Sequence, residues 1–164
     1  MHDGALENPA TGERIVFLER DPALLRLELT MPPGGRVAAL HVHPRQEERF
    51  EVLAGTPTFR LGRRTLRLSA GGAVAAPPGT PHRWWNDGAD DARVLIEFRP
   101  ALRTAELFER LVELGRAGRL TRGGIPKGRA GIELAAEFPQ EAIAAHVPAG
   151  LQRAIVRALG GRHG

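Results

Sequence analysis

The sequence predicts a mainly β fold, a closed antiparallel barrel or double-sheet jelly roll, followed by a C-terminal α-helical extension. Two observations carry this. Between residues 12 and 100, short segments alternate apolar and polar side chains, recur about every eight to twelve residues and are separated by Gly, Pro, Asn or Asp. After Pro100 the apolar period changes from that of a strand to that of a helix. At 164 residues the chain fits one domain plus an appendage. It divides into an N-terminal arm (1–11), a β-barrel (12–100) and a helical extension (101–164).

Residues 1–11 read as a loose arm. Ile15-Val16-Phe17-Leu18 lies in a first strand, and Asp21-Pro22 turns the chain. Leu25, Leu27, Leu29 and Met31 alternate with Arg26, Glu28 and Thr30, the pattern of a half-buried strand. Pro32-Pro33-Gly34-Gly35 turns into a strand at Arg36–Leu40 that carries on to His41 and His43, and Pro44, which has no N–H for a ladder, ends it. Glu47–Leu53 reads as the strand returning beside it, with Glu48, Phe50 and Val52 on one face. Phe59 with Leu61, then Leu66 with Leu68, form two more alternating pairs around Gly62-Arg63-Arg64. Pro78-Gly79 is the pair a type II turn requires, and His82 begins the strand after it. Asn86-Asp87-Gly88 is a further turn, and Val94, Ile96 and Phe98 mark the last strand.

Thr104–Ala117 reads as a helix with Thr104 as N-cap, acidic residues early, Arg116 late and Gly118 beyond its end. Leu107, Leu111 and Leu114 form its apolar stripe, widened by Phe108 and Val112. Residues 118–128 read as a loop. Short helices are expected at Ala130–Phe138 and Gln140–His146, split by Pro139, and a last one at Leu151–Leu159. These stripes are too extensive to leave in water, so the extension should dock on the barrel or on a second subunit. A lid over the barrel mouth is the functional version of that packing. His146 and His163 read as surface residues.

Composition removes several function classes. There is no cysteine, hence no disulfide, thiolate metal site or thiol nucleophile. The net charge is +4, yet the arginines are dispersed and no basic stripe interleaves with aromatics, so nucleic acid is not an expected partner. No apolar run is long enough for a membrane span and the N-terminus lacks signal-peptide character, so a soluble cytoplasmic protein is expected.

The chemistry concentrates at Gly35–Gly55. His41 and His43 are two apart, so a strand projects both from one face, and Glu48 lies on the strand after the turn. Two imidazoles and a carboxylate suit Fe, Mn, Ni, Cu or Zn as divalent ions. If these residues face inward, so do Val37, Ala39, Phe50 and Val52. Inward His82 takes Trp84 with it and leaves Trp85 on the opposite face, under the extension. Phe59, Ile96 and Phe98 complete an apolar pocket.

The spacing of both stretches resembles the two cupin motifs. The first reads Gly35, five residues, His41-x-His43, four residues, Glu48, six residues, Gly55. The second reads Gly71, five residues, Pro77-x-Gly79, two residues, His82, three residues, Asn86. Every fixed position matches, with a short interval between motifs, as in small single-domain prokaryotic cupins of the RmlC-like superfamily. The resemblance covers the middle third directly. It implies a double-stranded β-helix with one divalent transition metal in its mouth, held by His41, His43, Glu48 and His82.

Within that resemblance the residues narrow the activity. Cupin epimerases and sulfoniopropionate lyases rely on a tyrosine, and thiol dioxygenases on a Cys–Tyr pair; this chain has neither residue. Isomerases of the phosphomannose type favour a pocket lysine, and the lone Lys127 lies outside the barrel segment. What remains is chemistry centred on the metal, as Lewis acid or O2-activating centre. The expected ligand is apolar or aromatic with a chelating oxygen pair, and Glu48 doubles as base. A dioxygenase-like enzyme is one reading. The other is a metal or ligand sensor whose tail contacts a protein partner. A homodimer is expected in either case, with Ile15–Leu18 as a strand available for exchange.

Overall fold

The computed structural model describes residues 4–36, 39–145, 148 and 150. The helix expected at Leu151–Leu159, and His146 and His163, lie outside the described residues, as do Val37 and Ala38 of the expected strand before His41.

Among the described residues, eleven strands and two helices follow one another: β1 (Leu6–Glu7), β2 (Arg14–Asp21), β3 (Leu24–Met31), β4 (His41–Val42), β5 (Glu47–Ala54), β6 (Thr58–Leu61), β7 (Arg64–Arg67), β8 (Ala73–Ala76), β9 (His82–Trp85), β10 (Ala92–Arg99), α1 (Thr104–Arg116), α2 (Arg129–Glu137) and β11 (Ile143–Ala144). They form two facing antiparallel sheets, ordered β1-β2-β3-β10-β5-β8 and β11-β4-β9-β6-β7. The fold is mainly β, as the alternations require.

Alternation decides the core. On β3, Leu25, Leu27, Leu29 and Met31 are at most 1 % exposed, while Arg26, Glu28 and Thr30 face outward. Phe50 and Val52 of β5 and Val94, Ile96 and Phe98 of β10 meet them in register. Phe59 and Trp84, neighbours on β6 and β9, stack with their rings 5.8 Å apart and close the core from the smaller sheet. Burying this set is the main stabilising term, since each large apolar side chain contributes about 1.5–3 kcal/mol. Outward Glu97 is covered by Arg26, Arg49 and Arg99, an ion-pair cluster built from three of the dispersed arginines.

Several expectations are corrected. The His41 strand and the Glu47–Leu53 strand are not hydrogen-bonded neighbours; β4 pairs with β9 and β5 with β10 and β8, so the two face each other from opposite sheets. Pro44 to Gln46 is therefore a crossing between layers rather than a hairpin. The arm is not loose throughout: Leu6 pairs with Ile15, and Asn8 is buried. Ala73–Ala76 forms an unanticipated strand beside β5. Thr104 is not the N-cap but the first residue of α1, after Arg103. Its hydroxyl instead accepts a hydrogen bond from Gln46 Nε2 at 2.8 Å. Of the helix expected at Gln140–His146, the described residues 140–145 hold a strand instead: Ile143 pairs with Val42 and Ala144 with His41. Trp85 lies against the Arg83 guanidinium, 5.2 Å from its ring centre.

Other expectations fit. Gly79 takes φ +80°, and Thr80 N–H donates to Pro77 O, closing the type II turn. Helix α1 ends where Gly118 turns left-handed at φ +67°; Gly118 N–H donates to Gly115 O and Arg119 N–H to Leu114 O, a Schellman stop. Along α1, Leu107, Val112 and Leu114 are buried. Among the described residues, no helix is long and apolar enough to cross a membrane.

Candidate metal centre

His41 and His82 are direct register partners on β4 and β9, and His43 follows β4 by one residue. Glu48 reaches them from β5 in the other sheet, flanked by Ala76 and Phe98. One ligand atom from each of the four lies within 4.8 Å of all the others. His82 Nε2 is 2.6 Å and His43 Nε2 2.9 Å from Glu48 Oε2, and His41 Nε2 is 3.2 Å from His43 Nε2. His43, Glu48 and His82 are at most 5 % exposed, and His41 is half-buried.

The second nitrogen of each ring sets the chemistry. His41 Nδ1 lies 2.9 Å from Ala39 O, His82 Nδ1 lies 2.8 Å from Thr80 O, and His43 Nδ1 faces Glu141 O. A carbonyl only accepts, so each Nδ1 carries the proton. In the neutral rings, Nε2 is then a bare lone pair. Three such lone pairs and a carboxylate oxygen converge on one point, with the His41 and His43 nitrogens facing each other and no proton to share. A cation at that point satisfies all four, and an N3O set matches borderline transition metals. The residues present therefore fit a divalent metal.

Electrostatics agree. Burial, aided by the His43 and His82 imidazoles, pushes His41 down to about 4, so it stays neutral at physiological pH. Without an ion, burial of Glu48 acts upward but is outweighed by the charge of His43 and by the bonds His43 and His82 donate when Nε2 is protonated, leaving the carboxyl well below the usual carboxylate range. Burial lowers His82, but its bond to Glu48 outweighs this and the net shift is upward.

A cavity of about 220 Å³ opens from the ligands. Trp84, Ile96 and Phe98 line it from the barrel. Phe50, Val52 and Phe59 are buried in the core and do not line it. The rest of the wall is the extension: Leu107, Phe108, Leu111 and Val112 of α1, Leu134 of α2, and Leu120 and Pro126 between them. Its walls are almost wholly apolar beyond the ligands. The exceptions include Asn8 and Glu13, both on the wall shared with an outer groove. Burial raises Glu13 to about 7, against the opposing bond from the Thr11 hydroxyl. Sequence reasoning missed three residues at this site, Glu13, Glu141 and Gln46, and the last two carry no signal in side-chain order. Glu13 has the inward parity of Ile15 and Phe17, which alternation counted from β2 could have shown.

Residues 27–97 match the family model of the cupin domain. Known structures agree on the fold. A protein from Thermus thermophilus is 27 % identical, covering 57 % of this chain and 87 % of its own, with a TM-score of 0.53. KdgF from Halomonas sp. is 24 % identical over 57 % of this chain and 85 % of its own, at 0.54. An RmlC-like cupin from Shewanella frigidimarina is 19 % identical over 62 % and 87 %, at 0.56. No curated protein matches the chain. Residues 27–97 thus match the cupin domain, and the two facing antiparallel sheets share the fold of these structures.

Proposed function

We propose that this cupin barrel binds one divalent transition metal through His41, His43, Glu48 and His82 and uses it on a small apolar or aromatic molecule that carries a chelating oxygen pair. The single observation behind the reading is the convergence of three Nε2 lone pairs and the Glu48 carboxylate at the end of an enclosed apolar cavity. A metal in that position supplies Lewis acidity or O2 activation. The protein's own groups do the rest. Trp84, Phe98 and Phe108 give flat apolar walls for an aromatic or enolic body, and α1 and α2 shut out bulk water. Glu48 is the proposed acceptor for a proton leaving the ligand's hydroxyl or enol, on its place among the ligands rather than on its basicity, which the imidazoles hold low. The barrel, 12–100, holds the chemistry, and the extension, 101–164, lines the cavity through residues between Thr104 and Ala142.

Oxygen uptake by the Fe(II)- or Ni(II)-loaded chain, measured across a panel of enols, β-diketones and catechols, tests this. Turnover of at least one class is expected. Tight binding of such ligands without turnover in any metal form would replace the enzyme by a sensor.

The same reading includes a cytoplasmic homodimer. Its support is the outer edge of β2, which β1 covers only at Arg14 and Ile15, and Leu18, which is 45 % exposed. Light scattering that reports a monomer at micromolar concentration overturns the dimer.

A further inference from the structure

We propose that the C-terminal extension is part of the metal centre, because the Glu141 backbone carbonyl positions His43. The inference rests on the metal reading above. It goes beyond the cupin domain, since Glu141 lies well outside residues 27–97.

The three imidazoles are not held alike. His41 and His82 each direct Nδ1 to the carbonyl two residues earlier, Ala39 and Thr80. Such contacts form with the local backbone and need nothing else. His43 finds its acceptor 98 positions away, at Glu141. That carbonyl is the sole partner of His43 Nδ1 among the described residues, and it sends Nε2 toward Glu48 and His41. A ligand imidazole whose second nitrogen lacks a partner is free to turn or to change tautomer, which is why such partners raise metal affinity.

Glu141 is itself anchored. It is 4 % exposed. Its Oε1 accepts Arg103 N–H at 3.2 Å, at the start of α1, and Oε2 accepts Gln140 N–H at 3.3 Å. Arg103 in turn stacks over Phe138 at 4.8 Å and donates to Glu137 O. Downstream, β11 lies along β4, and Ala145 N–H donates to Leu40 O at 2.9 Å. The segment 138–145 is thus pinned on both sides of the one carbonyl that His43 uses. Glu141 is a positioning residue: its carboxylate fixes the loop, and its carbonyl fixes the ring.

The test uses the full chain in three variants, Glu141→Ala, Glu141→Gln and, as control, the exposed neighbour Gln140→Ala. Zn(II) affinity by calorimetry is read beside the long-range ¹H–¹⁵N histidine spectrum of the metal-free protein. The parent should show His43 as the Nδ1–H tautomer and bind one ion. Glu141→Ala should weaken Zn(II) binding about 10- to 100-fold while still saturating at one ion. It should also mix the His43 tautomers and leave those of His41 and His82 in place. Glu141→Gln, which keeps one acceptor, should fall between, and Gln140→Ala should match the parent. If Glu141→Ala does not fold, Glu141→Gln carries the comparison. A Zn(II) affinity within twofold of the parent in both Glu141 variants overturns the proposal, as does an Nε2–H tautomer for His43 in the parent. Failure of the parent to bind any divalent metal refutes the metal reading instead, and leaves the tautomer to decide whether Glu141 orients His43.

Discussion

Gln46 sits in the layer crossing between His43 and Glu48 and is fully buried. Its amide nitrogen donates to Pro100 O at 2.8 Å, Ala101 O at 2.9 Å and Thr104 Oγ1 at 2.8 Å. One side chain thereby ties the barrel to the first turn of α1. Gln46→Ala removes two N–H donors from three acceptors, of which the Ala101 and Thr104 contacts are buried. Leaving buried acceptors unpaired costs about 1–3 kcal/mol each, and the emptied space adds a cavity term. Against this, Gln46 Oε1 has no hydrogen-bond partner, so its removal recovers some desolvation. The balance is a loss of about 2–3 kcal/mol. For a chain of this size 1 kcal/mol moves Tm by roughly 2–4 °C, so Tm should fall by about 4–12 °C. Calorimetry on the metal-free protein measures it without contributions from ligand binding. Gln46→Glu should be worse, since it sets an oxygen against two carbonyls. A Tm within 2 °C of the parent for Gln46→Ala, or a Glu variant as stable as the parent, would refute this account of how the extension is attached.

Four further outcomes are expected. His41→Ala and His82→Ala should each retain little metal through purification, and His43→Ala with Glu48→Ala none; full occupancy in that double variant, by elemental analysis, would sink the ligand assignment. Metal affinity should decline with acidification from above pH 6.5, because the raised His82 takes up a proton first. The metal-free fold should also weaken between pH 6.5 and about 4. There the unfolded chain protonates His41 and the folded one does not, so stability falls with pH. Glu13 opposes this over much of the same range, so the test is the Tm of Glu13→Gln, where a flat profile between pH 6.5 and 4 would contradict it. Glu13 has the opposite sign: its pKa of about 7 means its contribution is present below pH 4.5 and lost as pH rises through 7. Glu13→Gln should therefore gain at most about 3 kcal/mol over the parent at pH 8 and little at pH 5, read as Tm at both values.

The barrel was legible because burial leaves a trace in side-chain order. Leu25 to Met31 and Val94 to Phe98 alternate since one face meets the core and the other meets water. The cluster of His41, His43, Glu48 and His82 was legible because metal-ligand types stand at fixed spacing. What stayed hidden is held by backbone. β11 pairs through main-chain groups over two residues, and no side-chain period announces it. β8, all Ala and Val, has no alternation to read. Glu141 acts on His43 through a carbonyl that any residue type carries. The placement of β4 and β5 in opposite sheets was missed for a related reason: closeness in sequence suggests a hairpin, and a crossing between layers has the same turn residues.

That crossing has a consequence for the energetics of the whole molecule. Three of the four ligands stand with one sheet and Glu48 with the other, so an ion among them would rivet the two layers together in a chain that has no cysteine to do so. The unfolded chain holds no such arrangement, so bound metal counts wholly toward the native state. Above saturation, each tenfold rise in free metal then adds about 1.4 kcal/mol of stability. The melting temperature would then be a gauge of free metal, and withdrawing the ion would loosen the joint between the sheets along with the site.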